Sequence, residues 1–262
     1  MRSSNPRQRA ARLIASCAAA GMLAACTTPS QGPPEPGPSI GQQLNAALPA
    51  PVSNSVLVTS DGRRLSLASL AGKVLVISDV MTLCQQTCPL DTANVVAAAK
   101  AADAAGLLDK VDFLSITIDP SRDTLAQLSA YRDLYRPAPA NWLDVTATPQ
   151  DLTALWSALG VYIQKVPDTP PAPTNWRTGK PLTYDLTHSD ELFFFDTTGH
   201  ERFVLDGAPH VAAGALIPAA LRRFMDANGQ NNLAHPDPLA WTLPQALQII
   251  SWLAGREIPN HS

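Results

Sequence analysis

Lys73-Val74-Leu75-Val76-Ile77-Ser78, followed closely by Cys84-Gln85-Gln86-Thr87-Cys88-Pro89, is the stretch on which the fold turns. Its first part is a nearly continuous apolar run with β-branched residues. That composition suits a central parallel strand covered on both faces, since neither face then meets water. The cysteine loop comes directly after it. Asp91 to Ala105 is alanine-rich, carries Val95 and Val96, and stops near Gly106, which predicts a helix.

The alternation continues downstream. Val111-Asp112-Phe113-Leu114-Ser115-Ile116-Thr117-Ile118 predicts a second strand. Arg122-Asp123-Thr124 opens a helix to about Tyr135, with Leu125, Leu128, Tyr131 and Leu134 at helical spacing. Trp142 to Val145 predicts a short strand. Pro149 to Leu159 predicts a helix with Pro149 in its first turn. Val166 to Pro181 is proline-rich and reads as an irregular excursion. Glu191 to Asp196 is a strand, turned at Thr198-Gly199 into Glu201–Leu205, and a helix near Ala215 to Ala227 closes the domain.

Upstream, Val56–Thr59 and Arg64–Leu67 flank Ser60-Asp61-Gly62, a hairpin pattern. The expected class is therefore α/β: a mixed central sheet flanked by helices, entered by an N-terminal hairpin, over residues 52–227. Residues 228–262 form a C-terminal extension. Its amphipathic part, near Leu243 to Leu253, is expected to pack on the domain surface.

The N-terminus reads as an export signal. Met1 to Arg12 holds four arginines and no acid, and an apolar stretch from Leu13 to Ala25 follows. That stretch is short for a membrane span and suits a signal-peptide core. It ends in Leu23-Ala24-Ala25-Cys26, which looks like a bacterial lipobox. Residues 1–25 would then be removed, and Cys26 would be the first mature residue and carry lipid. A plain secretory signal cleaved near Ala25 is the alternative. Thr27 follows Cys26, not the aspartate that marks inner-membrane retention in some Gram-negative bacteria. Residues 26–51, rich in proline and glycine, read as a tether. The expected location is extracytoplasmic, anchored to the envelope membrane.

Without residues 1–25 the chain holds 15 basic and 22 acidic residues, a balance of −7. With no long basic run in the body, nucleic-acid binding has little electrostatic support. Hydrophobic residues make up 45% of the chain, which excludes global disorder.

Of the four cysteines, Cys17 and Cys26 belong to the signal and lipid site, leaving Cys84 and Cys88 as the thiols of the fold. A bridge four residues apart closes too short a loop to staple a fold strongly. The pair sits where a strand's carboxyl end meets a helix N-terminus, and that positive end favours thiolate. Residues i and i+4 share a helix face about 5–6 Å apart at Cβ, which the loop can close to a disulfide or to a grip on one soft ion. Two thiolates favour Cu(I), with zinc as competitor, but structural zinc wants four ligands. A third ligand would come from His188, His200, His210, His235 or His261. His188 stands just before the phenylalanine-rich strand. Spacing alone leaves it open between a ligand and a solvated side chain.

The sequence resembles the SCO/SenC group of thioredoxin-like copper proteins. The match is carried by Asp61-Gly62 through Val74, by Thr82–Pro89 with its C-x-x-x-C-P, by Ile116–Thr124, and by Thr187-His188-Ser189. It runs in order over about residues 52 to 227. The resemblance implies a thioredoxin-like fold and copper, Cu(I) and Cu(II), bound by Cys84, Cys88 and His188. It implies a metallochaperone that delivers copper to a respiratory oxidase subunit, the copper site of cytochrome c oxidase. The alternative it implies is a thiol–disulfide oxidoreductase, using Cys84 and Cys88 as a redox pair to keep partner cysteines reduced.

One departure stands out. The group commonly has an acid before its histidine, where Thr187 stands here. Asp185 and Asp190 are the candidates to replace it as the group that orients the imidazole. Met81 could offer a thioether, with packing as its plainer role. Asp119 is expected to cap the following helix turn. A peroxiredoxin-type peroxidase is disfavoured, because that chemistry wants Thr or Ser where Met81 stands.

Overall fold

The computed structural model describes residues 32–168 and 171–259. The expected signal peptide and the expected lipid site at Cys26, together with His261, lie outside the described residues.

Among the described residues, ten strands and seven α-helices follow in chain order: β1 Gln42–Ala47, α1 Ala50–Ser53, β2 Leu57–Thr59, β3 Arg64–Leu65, β4 Val74–Val80, α2 Cys88–Ala104, β5 Val111–Thr117, α3 Leu125–Asp133, β6 Trp142–Thr146, α4 Pro149–Leu159, β7 Ile163–Val166, β8 Asp185–His188, β9 Glu191–Phe195, β10 His200–Asp206, α5 Ala219–Phe224, α6 Ala227–Ala234 and α7 Leu243–Ala254. Eight strands form one sheet in the order β1-β10-β9-β4-β5-β6-β2-β3, and β7 pairs with β8 alone.

The first-quoted stretch becomes the middle of that sheet. Every residue of β4 is buried. It pairs parallel with β5 on one side and antiparallel with β9 on the other. A strand with two neighbours and both faces covered has no solvent-facing position, which is why its sequence does not alternate. β5 continues parallel to β6, and the remaining pairings are antiparallel. The result is the mixed sheet flanked by helices that the sequence predicts. The hairpin is present, with Leu57 opposite Leu65 and Val58 opposite Arg64.

Several expectations shift. Residues 42–47, predicted to lie in the tether, form edge strand β1 against β10. Most of its side chains are exposed, so main-chain pairing rather than burial holds it, and no periodicity marks it in sequence. Gly41 enters this strand so close to its neighbour that a Cβ would stand 2.6 Å from the Val204 oxygen.

The extension is not a surface appendage either. α7 buries Ala246, Leu247, Ile249 and Ile250 in the main core. Pro244 in its first turn, the Thr242 amide donating to Gln245 Oε1 at 2.7 Å, and left-handed Gly255 after its end delimit it. The helix predicted over 215–227 is split: Pro218 starts α5, the chain is extended at Met225, and Asp226 caps α6. The proline-rich excursion is bracketed by the β7–β8 ribbon, whose four-residue strands are too short to read from pattern. No helix among the described residues is long and apolar enough to cross a membrane.

Candidate metal centre

β4 ends at Val80, and the chain turns at once. The Cys84 amide donates to the Met81 carbonyl at 3.0 Å, and Cys88 is the first residue of α2. Pro89 fits there because first-turn amides have no partner within the helix. Cys84 thus lies in the loop and Cys88 on the helix, not one turn apart on a helix face. Both are free and buried.

His188 arrives as the last residue of β8. Its Nε2 is 4.0 Å from Cys88 Sγ. The ligand atoms of Cys84, Cys88 and His188 all lie within 4.8 Å of one another. The structure therefore brings together the three predicted site residues. His200 instead faces Thr198 Oγ1 at 2.9 Å in its turn, and the His210 amide and carbonyl are tied to Trp241 and Asn94.

The imidazole is held from behind. His188 Nδ1 lies 2.6 Å from the Ser189 carbonyl oxygen and 2.9 Å from Asp79 Oδ2. Its Nδ1 proton faces two acceptors, which directs Nε2 toward the sulfurs. Asp79 is itself buried in β4 and its Oδ1 accepts from the Glu191 amide at 3.2 Å. The acid in contact with Nδ1 is therefore Asp79, while the buried Asp190 stands near enough for its charge to act on His188. Asp185 stands three residues before His188 on one strand, so its side chain leaves by the opposite face, where it accepts from the Leu186 amide.

Charge is distributed unevenly over the three groups. Hydrogen bonding from Cys88 holds the Cys84 thiol well below its usual range, against the effect of burial and with help from His188. The same contact with Cys84, followed by burial, pushes the Cys88 thiol well up. Burial works against the charged imidazole, but Asp79 and Cys84 outweigh it and push His188 up to about 12. The metal-free site thus favours a Cys84 thiolate between a Cys88 thiol and a charged imidazole. A soft cation binding here displaces the protons of Cys88 and His188 Nε2.

A polar shell under the loop escaped the sequence reading. Asp123 is buried and accepts from Thr117 Oγ1 at 2.6 Å, from the Thr82 amide at 3.3 Å, and from the Thr82 hydroxyl. Burial pushes it up to about 7. Trp176, from the excursion, donates through Nε1 to the Thr82 carbonyl at 2.7 Å. Asp119 caps no helix; Thr124 caps α3, and Asp119 instead pairs with Arg122 and accepts from Tyr184 Oη at 2.8 Å. Arg122 also reaches Met81 Sδ at 3.1 Å, so that sulfur is a packed acceptor facing a guanidinium. Asp119, Arg122 and Asp123 fall in the quoted Ile116–Thr124 segment, but their contacts with Thr82, Met81 and Tyr184 come from long-range packing.

Fold and site together define an α/β protein with a buried dithiol–imidazole group at the end of a central strand. Residues 50–221 match the profile of SCO1/SenC, and the chain belongs to that family. It is 29% identical over 129 residues to "Protein SCO1 homolog 1, mitochondrial" of Arabidopsis thaliana, a stretch covering 49% of this chain and 36% of that protein. It is 30% identical over 110 residues to "SCO1 protein homolog" of Bacillus subtilis (strain 168), covering 42% of this chain and 56% of that one. The chain thus spans about a third to a little over half of these relatives. The crystal structure of a SCO1/SenC family lipoprotein from Bacillus anthracis superposes with TM-score 0.50 at 22% identity, covering 70% of this chain and 95% of that one. That likeness is one of fold, and it is a thioredoxin-like fold.

Proposed function

We propose that this protein is an extracytoplasmic copper metallochaperone. Cys84, Cys88 and His188 hold the ion as cargo, Cu(I) foremost and Cu(II) as a second state, and pass it to the copper site of a cytochrome c oxidase subunit. Lipid on Cys26, read from the Leu23–Cys26 lipobox, tethers it to the envelope membrane.

One observation carries the copper reading: two sulfurs and an imidazole nitrogen converge within 4.8 Å of one another. Soft thiolates with one imidazole suit Cu(I), which accepts low coordination number. Zinc would lack a fourth protein ligand within this group. Family membership supports the same reading. The test is anaerobic copper titration of the reduced protein, wild type beside Cys84→Ser, Cys88→Ser and His188→Ala. About one Cu(I) per chain is expected, with uptake lost in the serine variants and weakened in His188→Ala. Reduced protein with both thiols intact that takes up no copper rejects the reading.

A second reading has its own support. Cys84 is held low and Cys88 high, the asymmetry of an attacking thiolate beside a proton-holding thiol. In a thiol–disulfide reductase both cysteines are required and His188→Ala is tolerated, so that variant separates the two.

A further inference from the structure

The family match ends at residue 221, and the segment just beyond it grips the loop between the two cysteines. Gln85 Nε2 donates to the Phe224 carbonyl at 2.8 Å. The Asp226 amide donates to the Gln85 carbonyl at 3.1 Å. Gln86 Nε2 donates to Asp226 Oδ2 at 3.2 Å, while Asp226 Oδ1 caps α6 by accepting from the Gly229 amide at 2.7 Å. One carboxylate therefore ties the start of α6 to the cysteine loop.

Gly229 completes the grip. It is buried against the same loop, and a Cβ there would stand 2.2 Å from the Gln85 carbonyl oxygen and 3.1 Å from Gln86 Cα. It lies inside α6, in a conformation any residue adopts, where glycine is a poorer helix former than alanine. Close approach to the loop is what requires glycine here. The contact reaches the sulfur in one step, because the Gln86 amide donates to Cys84 Sγ at 3.4 Å.

We propose that Asp226 and Gly229 are positioning residues: by gripping Gln85 and Gln86 they hold the Gln86 amide on Cys84 Sγ and so favour the dithiol over the Cys84–Cys88 disulfide. The inference needs the two sulfurs to act together, as both readings above do, and does not depend on whether copper or a disulfide is handled. The amide holds Cys84 Sγ where it stands as a free sulfur, and closing the bridge draws that sulfur off the amide toward Cys88. A loosened clamp therefore moves the pair toward the disulfide.

The test is copper-free. The full chain is equilibrated in buffers of reduced and cyclic oxidised dithiothreitol, then acid-quenched, alkylated and weighed by mass spectrometry. Two electrons and two protons pass from dithiothreitol to the protein disulfide, giving two cysteine thiols and the cyclic dithiothreitol disulfide. Gly229→Ala and Asp226→Ala are expected to shift the equilibrium about threefold or more toward the protein disulfide. Asp226→Asn keeps a capping oxygen and, with the Gln86 amide turned over, the link to the loop, so it should stay near wild type. Ile249→Val in α7 lowers thermal stability without touching the loop and should leave the equilibrium unmoved. If Gly229→Ala fails to fold, Asp226→Ala against Asp226→Asn decides. The proposal is overturned by folded variants with the wild-type equilibrium, by a shift toward the dithiol, by an equal shift in Ile249→Val, or by a pair that forms no disulfide in any buffer. Failure of copper uptake by wild type would sink the copper reading and leave this measurement standing.

Discussion

Asp79 Oδ2 stands 2.9 Å from His188 Nδ1, joining the buried end of β4 to the last residue of β8. This contact supplies the carboxylate that the sequence lacks immediately before the histidine, where Thr187 is exposed. It orients the ring from behind and leaves the opposite nitrogen for the sulfurs.

Asp79→Asn removes the charge and keeps the shape. Orienting partners of metal-ligating histidines are worth about 10–100-fold in affinity. A copper affinity lower by that factor is expected from competition against a colorimetric Cu(I) chelator, with near-ultraviolet circular dichroism unchanged. Wild-type affinity in the variant would remove Asp79 from this role.

The two cysteines should react unequally. Cys84 is held low by its bond with Cys88, and Cys88 is pushed up by the same contact. Limiting iodoacetamide at neutral pH should label Cys84 first, read by peptide mass mapping, because thiolate is the nucleophile. First labelling at Cys88 would reverse the assignment.

Stability should fall as pH rises through the neutral range. Burial raises Asp144 to about 8 and Asp123 to about 7. An acid raised in the folded state binds its proton more tightly there than in the unfolded chain. Its contribution is full below the unfolded value near 3.8 and is lost as pH rises to the folded value. Denaturant unfolding should therefore show lower stability at pH 8 than at pH 5. In Asp144→Asn the slope over that window should shrink by up to about 1.4 kcal/mol per pH unit. An unchanged slope would mean that Asp144 is already ionised in the fold.

α7 should behave as core. Ile249 is completely buried, so Ile249→Ala should cost about 2–5 kcal/mol in denaturant unfolding. A cost under about 0.5 kcal/mol, the range of surface changes, would return the extension to the surface.

The legible parts share a cause. β4, β5, α2 and α4 each declare themselves through burial pattern or capping residues within their own span. The i, i+4 cysteines and Pro89 mark the loop-to-helix junction for the same local reason. β1 was not legible, because its side chains are exposed and its bonds run to β10. α7 was readable as a helix but not as core, since amphipathicity says that one face is covered and not by what.

By itself the sequence determined the alternation of strands and helices and the placing of Cys84 and Cys88 at a strand-to-helix junction. These follow from hydrophobic period and spacing, which act over a few residues. Only the tertiary structure decided which acid orients His188, that Cys84 and not Cys88 carries the lowered thiol, and that residues 224–229 hold the cysteine loop. Asp79 and His188, like Gln85 and Phe224, lie more than a hundred residues apart, and they meet because β9 returns beside β4 with His188 shortly before it and α6 packs back on the loop. Polar pairing at that range depends on sheet order, which no local pattern encodes.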